Sequence, residues 1–331
     1  MGQVCSERMK PAPPFYYTSL DLFGPFAIRD TVKRRTMTKA YGVIFTCLVT
    51  RAIYIDLADS YNTQSFLTVF RRFVSLRGHP HTIHSDSGTR LVAASKELKT
   101  IRQNWDESEV QAFTTYKGTT WVFNKSADAP WQNGCSEALI RSAKRALRIA
   151  IGDSKLTFGE LQTVLYETAN ILNERPIGMK PGVDVSMGSY LCPNDLLLGR
   201  TNNKVPTSKM SKERIDITGR LKFMDQIVDS FWRKWQRDYF PTLIIRQKWH
   251  VDKRNVRVGD IVVLQDKDAI KGEWKLAQVK AIKSSRYDKV RDVIVRYKIQ
   301  RPGHAYQGQS DICVSRSVHK LIVILPVEDI L

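Results

Sequence analysis

The sequence predicts a mixed α/β core, then an amphipathic helix, then a small all-β domain. Three observations carry this. Between residues 18 and 57 apolar runs of strand length follow one another with little between them. Between 134 and 173 apolar residues recur at helical spacing. From 256 to 325 short apolar stretches alternate with polar ones, as in small barrels.

Residues 18–28 read as a first strand, 41–48 as a nearly continuous apolar second and 51–57 as a third, so a meander is expected. Lys33-Arg34-Arg35 fits a hairpin tip, or a weak nuclear-import patch. Thr63 is placed to cap a helix reaching about Leu76, with Phe66, Val69, Phe70, Phe73 and Val74 on its core face. Gly78-His79-Pro80 stops it, and a short strand at 81–84 leads into Ser85-Asp86-Ser87-Gly88. Residues 91–103 read as a helix, 119–124 as a strand and 125–133 as a loop. A long helix is expected from about Gly134 to Ile151, packing through Leu139, Ala143, Ala146 and Ile149–Ala150, and another from about Thr157 to Asn173. This order makes a mixed α/β layer.

Residues 176–215, rich in Pro, Gly, Asn and Ser, read as a linker. A helix over 217–240 carries the stripe Leu221, Met224, Ile227, Val228, Phe231, Trp232 and Trp235, and Pro241 ends it. Strands at 256–264, 273–282, 290–299 and 318–325 then suggest a five-stranded barrel. The expected division is an extension over 1–15, the core over 16–176, linker and helix over 177–250, and the barrel over 251–331.

The net charge is +19, of which +12 lies beyond residue 200, so both halves are basic. The natural partner is a polyanion: nucleic acid first, an anionic membrane surface second. Cys5, Cys47, Cys135, Cys192 and Cys313 stand far apart, without a Cys-x-x-Cys pair, which encodes no zinc ribbon and fits a reducing compartment. No apolar run is long enough to span a membrane, and no secretory signal is read. Met1-Gly2-Gln3-Val4-Cys5-Ser6 fits an N-myristoylation pattern at Gly2 only weakly, since so short a pattern is easily matched by chance, and the plainer reading is an ordinary chain start.

Three carboxylates occupy places where metal chemistry would put them. Asp21 lies mid-strand between Leu20 and Leu22, where a charge is costly unless edge-facing, paired or metal-bound. Asp86 follows a short strand at a Gly-containing turn, and Glu137 stands in the first turn of the long helix. Three oxygen donors of this kind suit two Mg²⁺ or Mn²⁺ ions flanking a phosphodiester. Each has a plainer reading: a satisfied strand-end Asp, a turn former, a partner of the helix dipole. Glu137, Arg141, Lys144 and Arg148 share one helix face, which would align metal chemistry with phosphate contacts; a solvated face laced by an ion pair is the alternative. His79, His81 and His84 are a weaker metal candidate beside Pro80. Trp232, Trp235, Tyr239, Phe240 and Trp249 could stack on bases, but their helical spacing favours core packing.

Several ordered motifs resemble the integrase region of BEL/Pao-type long-terminal-repeat retrotransposons. They are Arg8 with Pro11-Ala12-Pro13-Pro14-Phe15; Asp21-Leu22-Phe23-Gly24-Pro25-Phe26; and Phe45-Thr46-Cys47-Leu48-Val49-Thr50-Arg51-Ala52. Ser65-Phe66-Leu67 with Arg71-Arg72-Phe73, Arg77-Gly78 before Ser85-Asp86-Ser87-Gly88, Ile171-Leu172-Asn173-Glu174-Arg175-Pro176, and Pro193-Asn194 with Leu197-Leu198-Gly199 continue the series. Phe231-Trp232-Arg233-Lys234-Trp235 with Tyr239, Arg246-Gln247-Lys248-Trp249, Val258-Gly259-Asp260-Ile261-Val262, Trp274, and Arg316 with Val318 and Lys320-Leu321 complete it, so the resemblance covers about residues 8–325.

The resemblance implies an RNase H-like core with an Asp-Asp-Glu metal triad at Asp21, Asp86 and Glu137, and an SH3-like barrel that binds DNA. It implies trimming of 3′ ends of element DNA and their joining to target DNA, by a homo-oligomer in the nucleus. Phosphate contacts are expected from Arg141, Lys144 and Arg148, and from Lys271, Lys275, Lys280, Lys283, Arg286 and Lys289 of the barrel. The family's usual residues are replaced at Ser87, Leu91, Trp131, Ser136 and Ala138, around an intact triad. Its upstream His/Cys zinc domain is not among these residues, with Cys5 as its last remnant. Weak strand transfer, or a domesticated chain that only binds nucleic acid, is therefore expected.

Overall fold

The computed structural model describes residues 6–30, 36–60, 62–86, 108, 110–112, 118–124, 134–180, 190–201, 219–243, 254–266, 272, 274–286, 289–297 and 311–329, some of them, including Asp86 and Glu137, by backbone alone. The helix expected over 91–103 and the loop over 125–133 lie outside these residues. Two compact units are present: Met1–Asn173 with Thr218–Phe231, and Glu174–Ile217 with Trp232–Leu331.

In the first unit β1 (Tyr17–Arg29), β2 (Met37–Cys47) and β3 (Ile53–Ala58) form the expected antiparallel meander. β4 (Thr82–Asp86) joins β1 in parallel, and β5 (Thr120–Asn124) joins β4 in parallel. The order is β3-β2-β1-β4-β5, with a two-residue β6 (Leu156–Thr157) also pairing β1. β3 is buried along its whole length. Helix α1 (Thr63–Arg77) buries Phe66, Leu67, Val69, Phe70 and Phe73, and Phe73 stacks on Phe45 with ring centroids 4.1 Å apart. Its cap is Asn62, whose side chain accepts from Ser65 N at 2.8 Å, not Thr63, which is buried. Asn at this position caps at least as well as Thr.

Helix α2 (Gly134–Ile151) has the bounds its periodicity predicts. Leu139, Ile140, Ala143, Ala146 and Leu147 are buried. Ile149, expected in the packing stripe, is exposed: at 3.6 residues per turn it lies about 120° from Ala143. Helix α3 (Phe158–Asn173) packs on β3, and its last residue finishes the sheet edge. The Asn173 side chain accepts from Ile53 N and donates to Ile53 O, both at 2.8 Å, supplying both groups of a missing strand residue.

In the second unit the stretch read as a linker contains structure. β7 (Gly178–Met179) and β8 (Tyr190–Leu191) pair, and α4 (Pro193–Leu198) follows. Helix α5 (Gly219–Leu243) spans both units' residues. Leu221 is exposed in its first turn rather than part of the stripe, and Pro241 does not end it. The proline removes one i→i−4 bond and crowds the carbonyl four residues before it, and only two residues of the helix follow. Five antiparallel strands follow in the order β12-β11-β10-β9-β13: β9 (Ile261–Leu264), β10 (Lys275–Arg286), β11 (Lys289–Tyr297), β12 (Ile312–Ser317) and β13 (Leu321–Leu325). Val262, Leu264, Ala277, Val279, Val293, Val295 and Leu321 form their core. The β12 strand is one the sequence pattern does not announce.

Candidate metal centre

β1 and β4 run parallel, with Leu20 opposite Ser85 as their last registered pair. One step further brings Asp21 beside Asp86, the last residue of β4. Two of the three predicted carboxylates therefore occupy matching backbone positions on adjacent strands. Among the described residues, no strand flanks this edge of β1 again until β6 meets Ile28 and Arg29. Asp21 thus opens a gap in the sheet. The antiparallel register puts Asp21, Ile44 and Ile55 on one face, and Leu22, Val43 and Asp56 on the other.

Helix α2 lies against β1 on the Asp21 face. Lys144 Nζ donates to Asp21 Oδ2 and to Leu22 O, the latter at 2.9 Å. The other oxygen, Asp21 Oδ1, accepts from Leu22 N at 2.7 Å. The pair is accessible: the Asp21 side chain is 36% exposed and that of Lys144 21%. Glu137 stands in the first turn of the same helix, seven residues before Lys144, about 10 Å along the axis at 1.5 Å per residue. The side chains of Asp86 and Glu137 lie outside the described residues. Carboxylates are hard-oxygen donors of the kind Mg²⁺ or Mn²⁺ takes, and the cation at Asp21 in this structure is the Lys144 ammonium. Among the described residues no three His, Cys, Asp or Glu side chains cluster with metal-ligand geometry.

The three histidines do not converge. His81 stacks on Tyr16, His84 Nε2 pairs with Glu7, and His79 is exposed. The aromatic residues of α5 pack inward. Trp232, Trp235, Tyr239 and Phe240 are buried, and Trp274 meets Trp232 and Trp235 edge-on at 5.6 and 5.8 Å. Trp249 lies outside the described residues.

Of the expected phosphate contacts, Arg141 and Arg148 are on the exposed face of α2, while Lys144 is committed to Asp21. In the second unit Lys275 pairs with Asp266 and lies 6.0 Å from the centre of the Tyr297 ring. Lys280 and Lys283 are exposed, and each is the residue skipped by a register shift between β10 and β11. Bulges of this kind turn a side chain out of the strand's alternation, so a period-two pattern cannot place it. Lys289 is half-buried at the start of β11, Arg286 ends β10 with its side chain undescribed, and Lys271 lies outside the described residues.

A family of unknown function (DUF5641) matches residues 219–324, from the start of α5 into β13. No curated protein matches the chain. Among solved structures, the catalytic core domain of BIV integrase is similar over 56% of this chain and 95% of its own, at 14% identity and a TM-score of 0.35. The HTLV-2 integrase catalytic core domain, in complex with magnesium and in a trimeric form, is similar over 52% of this chain and 93% of its own, at 16% identity and a TM-score of 0.31. Among the described residues no helix is long and apolar enough to cross a membrane.

Proposed function

We propose that the chain is a retroelement integrase of the BEL/Pao type, a metal-dependent polynucleotidyl transferase with an RNase H-like core and an SH3-like DNA-binding domain. One observation carries this reading: Asp21 and Asp86 reach matching positions on adjacent parallel strands, on an edge faced by the helix that bears Glu137. The strand order β3-β2-β1-β4-β5 supports the RNase H-like assignment. Asp21, Asp86 and Glu137 would hold Mg²⁺ or Mn²⁺. Such a metal pair supplies Lewis-acid stabilisation of the attacking and leaving oxygens of a phosphodiester. Arg141 and Arg148 orient the phosphate backbone beside that centre, and the cations of β10 and β11 grip it elsewhere. The partners are element ends and target DNA, the working form is a homo-oligomer, and the site of action is the nucleus.

A second reading, a domesticated integrase that binds DNA without chemistry, is favoured by the lysine that already neutralises Asp21 and by the replacements at Ser87, Trp131, Ser136 and Ala138. A strand-transfer assay with Mg²⁺ or Mn²⁺ on a short blunt duplex separates the two. The enzyme reading expects joined products from the full chain, none from Glu137→Gln, and similar DNA affinity in both. Salt-dependent binding without products supports the second reading. Products from Glu137→Gln would show that the triad is misassigned.

A further inference from the structure

We propose that Lys144 is an exchangeable internal counter-ion of the metal centre: its ammonium holds Asp21 when no divalent cation is bound, and metal binding displaces it onto the exposed basic face of α2. The inference rests on the metal-site reading of Asp21, Asp86 and Glu137 and adds a residue that competes with the metal.

Three observations point this way. First, the contact is built at two points, since Nζ donates to both Asp21 Oδ2 and the carbonyl of Leu22. A chance surface pairing would not also take up a main-chain oxygen at the open edge of β1. Second, among the described residues the carboxylate has only two donors, Leu22 N and Lys144 Nζ. A carboxylate has about four acceptor sites, so removing Lys144 leaves an under-coordinated, half-exposed anion ready for a hard cation. Third, Lys144 has somewhere to go. It stands three residues after Arg141 and four before Arg148, both exposed, and its flexible four-carbon stem reaches that face without backbone movement. Lysine and metal cannot share Oδ2, because their like charges repel at close range.

Exchange makes the two functions of this helix face sequential. While Asp21 lacks metal, Lys144 screens its negative charge from an approaching phosphate backbone. Once metal takes Asp21, the released ammonium becomes a third cation on the phosphate-facing side. A site closed by a competing internal group binds with affinity reduced by the fraction of time the group is away. Removing Lys144 should therefore tighten metal binding while weakening metal-dependent DNA binding, a pair of opposite effects that a merely structural lysine would not produce.

The test is Mn²⁺ titration of the full chain, following free Mn²⁺ by electron paramagnetic resonance, with wild type, Lys144→Met, Lys144→Gln and Asp21→Asn compared. Lys144→Met and Lys144→Gln are expected to bind Mn²⁺ about 10-fold or more tightly than wild type, the scale on which outer-shell partners act, and Asp21→Asn to lose the site. In wild type, amine labelling of Lys144 read by peptide mass spectrometry should rise on adding Mn²⁺, and in Asp21→Asn it should be high without metal. This second readout needs no Lys144 variant to fold. Equal Mn²⁺ affinity in wild type and both Lys144 variants, with Asp21→Asn still losing the site, overturns the exchange and leaves the metal centre standing. Labelling of Lys144 that ignores Mn²⁺ overturns it as well. No Mn²⁺ binding by wild type or any Lys144 variant overturns the metal-centre reading and the exchange together.

Discussion

Replacing Asp56 by alanine should loosen the first unit markedly. Asp56 is wholly buried in β3 and joins two helices to the sheet. Its Oδ1 accepts from Leu57 N at 2.7 Å, Gln162 Nε2 at 2.8 Å and Tyr166 Oη at 3.1 Å; its Oδ2 accepts from Arg72 Nε at 2.7 Å and Tyr54 Oη at 3.1 Å. Alanine strands these donors; Arg72, with 35% of its side chain exposed, and Tyr166, 38% exposed, can turn to water, but the Leu57 amide and the buried Tyr54 phenol cannot. Breaking a buried ion pair by removing one partner costs about 3–5 kcal/mol, and a stranded buried donor about 1–3 kcal/mol. Because these terms overlap, about 4 kcal/mol is expected, against roughly 5–15 kcal/mol for a whole domain. Asn, which keeps one acceptor oxygen but not the charge, should cost less. The assay is amide hydrogen exchange across Ile53–Ala58, where about 4 kcal/mol appears as roughly a thousandfold loss of protection. A loss under about fivefold would refute the claim that Asp56 organises this face. The same cluster has an alkaline signature. Burial, and then the Asp56 charge, push the Tyr54 phenol above its ordinary value of 10.0. A raised phenol favours the neutral form in the folded state, so its contribution is intact below about pH 10 and is lost as pH rises beyond that. Tyr54→Phe should flatten the loss.

Three further predictions concern other sites. Arg220 holds the Glu160 carboxyl down to about 2, so this link between α5 and α3 is fully present above the ordinary value of 4.5 and is lost as pH falls toward 2. Since Arg220 is nearly half exposed, it contributes about 1 kcal/mol, and Arg220→Gln should abolish the acid-dependent exchange of 219–231. Burial, and then Glu174, push the Cys192 thiol up to about 12, while Cys313 is exposed; iodoacetamide with peptide mapping should label Cys313 in the native chain and Cys192 only on unfolding. Gly259 has φ +98°, and an added Cβ would lie 2.7 Å from Val327 Cγ2, so Gly259→Ala should cost about 2 kcal/mol or more and deprotect the amides of β9, unlike a substitution at Gly159, where nothing stands within 4 Å.

Elements with strong period were legible in the sequence and local devices were not. Helix α2 could be read to the residue because its apolar stripe runs unbroken from Leu139 to Leu147. Helix α4 could not, because it is held by its ends: Pro193 opens it, and Asp195 accepts from Cys192 N at 2.9 Å, within a stretch whose composition reads as loop. In β12 only Ile312 and Val314 supply apolar contrast, and both are half-buried, so alternation there is faint. Lys280 and Lys283 owe their exposure to bulges that a regular register would not predict. The Asn173 side chain completes the sheet edge through two hydrogen bonds formed across 120 residues, a contact no local pattern encodes.

The same limit applies to the candidate site. By strand placement alone Asp21 and Asp56 look alike: each is a lone aspartate in a strand with an aliphatic residue on either side, Leu20 and Leu22 for one, Ile55 and Leu57 for the other. Both bond the next backbone N–H at 2.7 Å. What separates them is what the folded chain supplies to the remaining lone pairs. Asp56 is sealed and receives a guanidinium, an amide and two phenols from its own strand and two helices. That arrangement uses its acceptors fully and leaves nothing for a ligand. Asp21 lies beside a gap in the sheet, is partly open to water, and receives one flexible ammonium that could leave. A buried carboxylate must be satisfied by the fold to be tolerated, whereas one kept under-satisfied at an opening retains capacity for a metal. The distinction depends on Arg72, Gln162 and Tyr166 for one residue and Lys144 for the other, partners 16 to 123 positions away. Mid-strand placement alone could therefore nominate a costly carboxylate but not say which one the fold seals and which one it leaves partly open.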